Sequence, residues 1–145
     1  MILPFTNDLV VTNKFDPEMA AIADRHYSRR TIGHRQFLPP GRTICIRDAE
    51  GRLLFAWNWQ IPEKRADKQD GYYCSIFRNE GPRRSSEVIL ECEGIARERW
   101  GRGRMFTYIN PEKIESVNPG YCFKCAGWKR EGYSAMGLHL LVKAA

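Results

Sequence analysis

The sequence predicts an α+β fold: a mixed, mainly antiparallel sheet with helices on both faces. Three observations lead there. Short β-branched and aromatic runs recur along the chain, and only three stretches read as helices. The three central runs are joined by turns too short for crossover connections. So few helices cannot cover a doubly wound parallel sheet. At 145 residues the chain has the size of one domain, 1–145, with enough length to bury a core.

Residues 9–15, "LVVTNKF", give a first strand. In "DPEMAAIADRHYSR" Asp16 stands at an N-cap position and Pro17 at the first helical position, so a helix starts there. "TIGHRQFLPPG" (31–41) carries two glycines and two prolines and reads as a loop. "RTICIRD" and "RLLFAWNWQIP", split by "AEG", form a hairpin signature. "EKRADKQD" (63–70) is a polar turn, and "GYYCSIFRN" (71–79) a strand rich in β-formers.

The segment "EGPRRSSEVILECEGIARERW" turns into a helix. Ser85 or Ser86 is its expected cap, Glu87 lies in its first turn, and Val88, Ile89, Cys92, Ile95 and Ala96 form its buried stripe. "RMFTYIN" (104–110) is a strand. "NPGYCFKCAGW" (118–128) is a short helix after a proline-containing loop, and "KREGYSAMGLHLLVK" closes as a turn and a last strand. The expected order is β-α-β-β-β-α-β-α-β.

The composition, 43% hydrophobic and 28% charged, is that of a globular chain. "MILPFTNDLV" lacks a basic n-region, and no run approaches the ~20 apolar residues of a membrane span, so the expectation is a cytoplasmic protein with no membrane partner. Five cysteines, three of them in apolar runs, fit reduced thiols used as small hydrophobes. Cys122 and Cys125 form a lone Cys-x-x-Cys. A closed zinc site needs four ligands and the three histidines are scattered, so no metal site is expected.

Charge is unevenly placed. The net charge is +6, and between Arg25 and Arg47 stand six arginines, two histidines and no acid. Such a segment is either a solvated loop balanced by acids elsewhere in space or a contact surface for a phosphate backbone.

The order of elements, with Asn118 followed nine residues later by Gly127-Trp128, resembles the GNAT (GCN5-related N-acetyltransferase) superfamily. "RHYSRR" (25–30), "SSEVILE" (85–91), "MFTYINP" (105–111) and "NPGYCFKCAGW" are together most similar to the Mom-type DNA-modification proteins of phages, which add a carbamoylmethyl group to adenine N6. The resemblance implies an acyltransferase of a phage or prophage, acting in a bacterial host cell on an amino group of a DNA base. It implies acetyl-coenzyme A, or another acyl-coenzyme A-type donor, bound along the start of the helix after residue 84, by Arg78, Asn79, Arg83, Arg84, Ser85, Ser86 and Asn118. Two departures matter. The family's glycine-rich pyrophosphate loop is "RNEGPRRSSE" here, with one glycine, although a helix start flanked by Arg83 and Arg84 still suits an anion. The family's catalytic tyrosine falls at Phe123, which cannot move a proton.

The resemblance therefore places the chemistry on His26 and Tyr27, as base or proton shuttle and acid, with Tyr121 as a nearby acid and Asn110 where Mom-type proteins often carry aspartate. The DNA backbone would lie on Arg25, Arg29, Arg30, His34, Arg35 and Arg42. Simpler readings stand beside these: His26 closing a helix, Tyr121 packing, Asn118 capping the helix before Pro119, and Trp57, Trp59 and Tyr108 filling the sheet faces instead of stacking a base. Two other functions remain open, an acetyltransferase of a small amine or protein and a non-catalytic nucleic-acid-binding module. An edge strand near the C-terminus could pair two chains into a homodimer.

Overall fold

The computed structural model describes residues 9–24, 38–113, 118 and 120–145. Among these the elements are β1 (Leu9–Thr12), α1 (Pro17–Ala23), β2 (Arg42–Asp48), β3 (Leu53–Trp59), β4 (Tyr72–Asn79), α2 (Ser85–Trp100), β5 (Met105–Ile109), α3 (Tyr121–Cys125), β6 (Lys129–Tyr133) and β7 (His139–Lys143). Short 3-10 turns cover Pro62–Lys64 and Pro111–Lys113. The strands form one sheet in the order β1-β2-β3-β4-β5-β7-β6. The β1–β2, β5–β7 and β6–β7 ladders are antiparallel, and β4–β5 is parallel at Tyr72↔Met105 and Tyr73↔Phe106. A mixed, mostly antiparallel sheet is thus what the sequence predicted.

Two compact units divide the chain, Met1–Asn58 with Cys74–Arg83, and Trp59–Tyr73 with Arg84–Ala145. In the first, Asp16 caps α1 by accepting from the Glu18 amide at 2.9 Å, with proline at the helix start. Arg47 on β2 reaches the same carboxylate at 2.7 Å, tying the helix start to the strand. Met19, Ile22 and Ala23 of α1 then close over Leu38, Cys45, Leu54, Ala56 and Ile76, a core of buried apolar side chains. Asp48 accepts from the Arg52 and Leu53 amides at 2.7 and 3.0 Å, which fixes the β2–β3 turn that "AEG" predicted.

In the second unit Phe106, Leu140 and Val142 form a small core, with Tyr73 and Tyr108 packed against it. The polar turn expected at 63–70 does more than connect. The Arg65 guanidinium lies 4.8 Å from the Tyr73 ring and 4.9 Å from Phe106, and its fork binds the Asp67 carboxylate at 2.8 and 2.7 Å. The Tyr108 hydroxyl donates to Asp67 at 2.9 Å. Burial pushes the Asp67 carboxyl up, but Arg65, the Gln69 amide and Tyr108 outweigh it and hold it at about 2. The sign follows from a folded-state value below the ordinary one near 3.8: this stabilisation is present above pH 4 and lost as pH falls through 2. Since the side chain is a quarter exposed, its worth is about 1–2 kcal/mol. Urea titrations at pH 5 and pH 2.5 should show a loss of stability that Asp67→Asn reduces by about 1–2 kcal/mol.

Three sequence expectations change. The first strand stops at Thr12, because Lys14 and Phe15 turn into the α1 cap. The segment 129–143 forms a hairpin of two strands, and β7 enters between β5 and β6. Ile95 is only half-buried, while Glu91 and Glu93 are buried on the same helix, which the apolar stripe did not anticipate. Trp57, fully buried, and Tyr108, engaged with Asp67, fill the sheet as the simpler reading expected. Cys45, Cys74 and Cys92 are buried as expected. The outer strand β6 is mostly exposed, carries Lys129, Arg130 and Glu131, and is bulged between Arg130 and Gly132. Charges and a bulge blunt such an edge against strand pairing.

Candidate functional site

The loop before α2 is shaped by Asn79 at the end of β4. Its Oδ1 accepts from the Gly81 amide at 3.0 Å and its Nδ2 donates to the Arg83 carbonyl at 2.7 Å. Arg78 pairs with Glu80, and the Glu80 amide donates to the Arg52 carbonyl at 2.7 Å. Arg78 and Asn79, expected on a donor, are thus employed in ordering the loop.

The expected serine cap of α2 is not what forms. Arg84 takes the extended cap conformation and makes no side-chain cap bond, so Ser85 and Ser86 occupy the first helical positions. The Arg84 carbonyl accepts from the Glu87 and Val88 amides, both at 3.1 Å. The helix is 16 residues long, so its start carries the positive end of the dipole, with the exposed Arg84 beside it. That arrangement suits an anion such as a phosphate.

The α3 start lies over the end of β5. Gly120 is its cap, at φ +76, and an added Cβ would stand 2.4 Å from Leu141 Cδ1 and 3.3 Å from Ile109 Cγ1. Asn118, expected to cap this helix, instead accepts from Lys124 Nζ at 2.6 Å through Oδ1, and its carbonyl accepts from the Tyr121 amide. Only glycine meets both the positive φ and the missing space. Gly120→Ala should lower stability by about 1–3 kcal/mol and disturb Tyr121, read by thermal melting and by tyrosine fluorescence.

Tyr121 is 61% exposed. The Cys125 side chain one turn on raises its pKa, while the charge of Arg84 pulls the other way. Arg84 and Tyr121 belong to the same unit, in which α3 packs against α2. Asn110 stands where β5 ends, accepting from the Glu112 amide at 3.0 Å, so its side chain shapes the turn that follows. Arg42 is exposed at the start of β2. His26, Tyr27, Arg25, Arg29, Arg30, His34 and Arg35 lie outside the described residues.

The motif "NPGYCFKCAGW" is largely explained by helix termination. The Trp128 amide donates to the Phe123 carbonyl and the Gly127 amide to the Lys124 carbonyl, both at 3.0 Å, with Gly127 at φ +97. This double bond pattern is a Schellman cap, whose usual apolar contact is here the Phe123 and Trp128 rings, 4.9 Å apart. Phe123 therefore serves packing. Trp128 Nε1 donates to the buried Glu93 at 3.0 Å, and Lys143 forms an ion pair with the same carboxylate at 2.6 Å while donating to the Ala126 carbonyl at 2.8 Å. The sequence signal for this network was Glu93 itself, an acid within the apolar register of α2.

Fold and site together define an α+β protein whose described residues form a seven-stranded mixed, mostly antiparallel sheet with three helices. No protein-family model, curated protein or solved structure matches the chain.

Proposed function

We propose that the chain is a GNAT-like acyltransferase that modifies an amino group of a DNA base, with adenine N6 the foremost candidate. The observation that carries this reading is the α2 start with its exposed Arg84, in the same unit as the exposed Tyr121 at the start of α3, which packs against α2. The mixed sheet and its order are compatible with it.

The donor set fits an acyl-coenzyme A, since a helix start with Arg84 and Arg83 receives phosphates. When bound, such a thioester supplies the acyl group and a thiolate leaving group. Arg84 and the first α2 amides hold the phosphates. The Tyr121 hydroxyl keeps its proton at neutral pH, as an ordinary tyrosine does and the more so beside Cys125, and with a donor bound it would be the acid that protonates the leaving thiolate. The amine's own proton goes to a base, for which the sequence offers His26. Positioning is the larger part of the task, because an aromatic amine is a weak nucleophile.

Mass spectrometry of nucleosides from cells expressing the protein tests the reaction. A mass-shifted adenosine is the expected result, and unmodified DNA at full expression with donor present sinks it. Titration calorimetry then assigns roles. Arg84→Ala should weaken acetyl-coenzyme A binding about tenfold, whereas Tyr121→Phe should leave binding intact and lower turnover by 10²-fold or more. The reverse pattern removes Tyr121 from the mechanism.

A further inference from the structure

The C-terminal end of α2 carries a surface that the proposed transfer reaction does not use. The segment Arg97–Arg104 contains four arginines and one acid, Glu98. Arg99 and Arg102 are exposed, and among the described residues neither has an ion-pair or hydrogen-bond partner. Between them stands Trp100, partly exposed. Its ring is 6.4 Å from that of Trp59, also partly exposed, and 5.2 Å from Tyr72.

This surface is rigidly built. The Tyr72 hydroxyl donates to the carbonyls of Trp100 and Gly101 at 2.8 and 3.0 Å, satisfying the end of the helix. Gly101 turns the chain at φ +85, and a Cβ on Gly103 would meet the Tyr72 ring at 2.9 Å. Glycine is thus required at 101 by the left-handed φ and at 103 by the closeness of the Tyr72 ring. At its far end the Tyr72 amide donates to the Arg104 carbonyl at 2.8 Å, and the Arg104 guanidinium donates to the Asp70 carbonyl at 2.7 Å. Arg102 is therefore presented from a fixed loop beside the indole pair.

We infer that the Trp59–Trp100 surface, flanked by Arg99 and Arg102, binds single-stranded nucleic acid. Unpaired guanidiniums attract phosphates, and partly exposed indole faces accept bases by stacking, the combination that single-strand binding uses. An acidic polypeptide would satisfy the arginines but leave the indole faces without a role. This inference goes beyond the acyl-transfer reading and does not rest on it, since the surface needs neither donor nor catalytic step.

The test uses the full chain and a fluorescein-labelled oligo(dT) read by anisotropy over a salt series, with tryptophan emission followed in parallel. Wild type should bind, quench the indoles, and lose affinity steeply with salt. Arg99→Glu/Arg102→Glu, both at exposed positions, should weaken binding more than tenfold and lower the salt slope by about 2. Trp100→Phe keeps a ring in the cluster and should weaken binding roughly threefold to tenfold with less quenching. The inference is overturned if the charge-reversed protein keeps wild-type affinity and slope, which would assign binding to other arginines. It also fails if polyglutamate competes as well as oligo(dT), or if the indoles are not quenched. Acetyl-coenzyme A calorimetry on the same double variant separates the two readings: unchanged donor affinity with lost oligonucleotide binding supports this surface whatever the reaction proves to be.

Discussion

Glu93→Ala is expected to lower stability by about 3–5 kcal/mol, or roughly 8–15 °C in melting temperature. The carboxylate is fully buried and has three cations or donors around it: Lys143 at 2.6 Å, Trp128 Nε1 at 3.0 Å and Arg97 at 3.5 Å. Removing it strands the indole N–H in the interior and leaves the Lys143 ammonium, only 28% exposed, without its counter-charge. The lysine keeps its bond to the Ala126 carbonyl, which is why the lower half of the range is favoured. A double-mutant cycle with Lys143→Ala measures the pair directly. A coupling below about 0.5 kcal/mol would reduce the ion pair to a bystander of the Trp128 bond.

Trp128→Ala should cost a similar amount, about 3–5 kcal/mol by chemical denaturation, since the side chain is 2% exposed and its ring closes on Phe123. Two smaller variants separate its contributions. Trp128→Phe keeps an apolar ring for the Schellman contact but abandons Glu93, and should lose about 1–3 kcal/mol. Glu93→Ala added to Trp128→Phe should then cost less than it does alone, because the orphaned indole donor is already gone. Strict additivity would show that the hydrogen bond carries no weight. In neither variant should the phosphate contact proposed for Arg84 be affected, as its backbone cap is made within α2 itself.

These two residues also show how far the primary structure could be read. Gly127-Trp128 was picked out as a signature, and the structure gives it a physical cause: a left-handed turn that stops α3 and an indole that fills the space behind it. Phe123, which stood out for what it could not do chemically, is the apolar partner that such a cap requires. The site letters divide in the same way. Asn79, Asn110 and Asn118 have the side chains of ligand-binding residues, and each spends hydrogen bonds on loop shape or a neighbouring lysine. Arg84 and Tyr121, 37 positions apart in the chain, were named separately, and only folding brings the charge of one to the hydroxyl of the other.

What the sequence by itself determined was local. Runs of β-branched and aromatic residues placed β2, β4 and β5 within a residue and β3 within three, and Asp16-Pro17 set the start of α1, because these signals act over a few bonds. The sheet's mixed character followed from the lengths of the connections. Tertiary structure alone decided the rest: that "KREGY" pairs as an edge strand outside β7, that Arg65 lies over Phe106 and Asp67 accepts from the Tyr108 hydroxyl, each 41 residues downstream, and that two acids sit inside α2. Each of these depends on a partner distant in the chain, and a buried charge reads as a surface charge until the lysine and indole that neutralise it are in place.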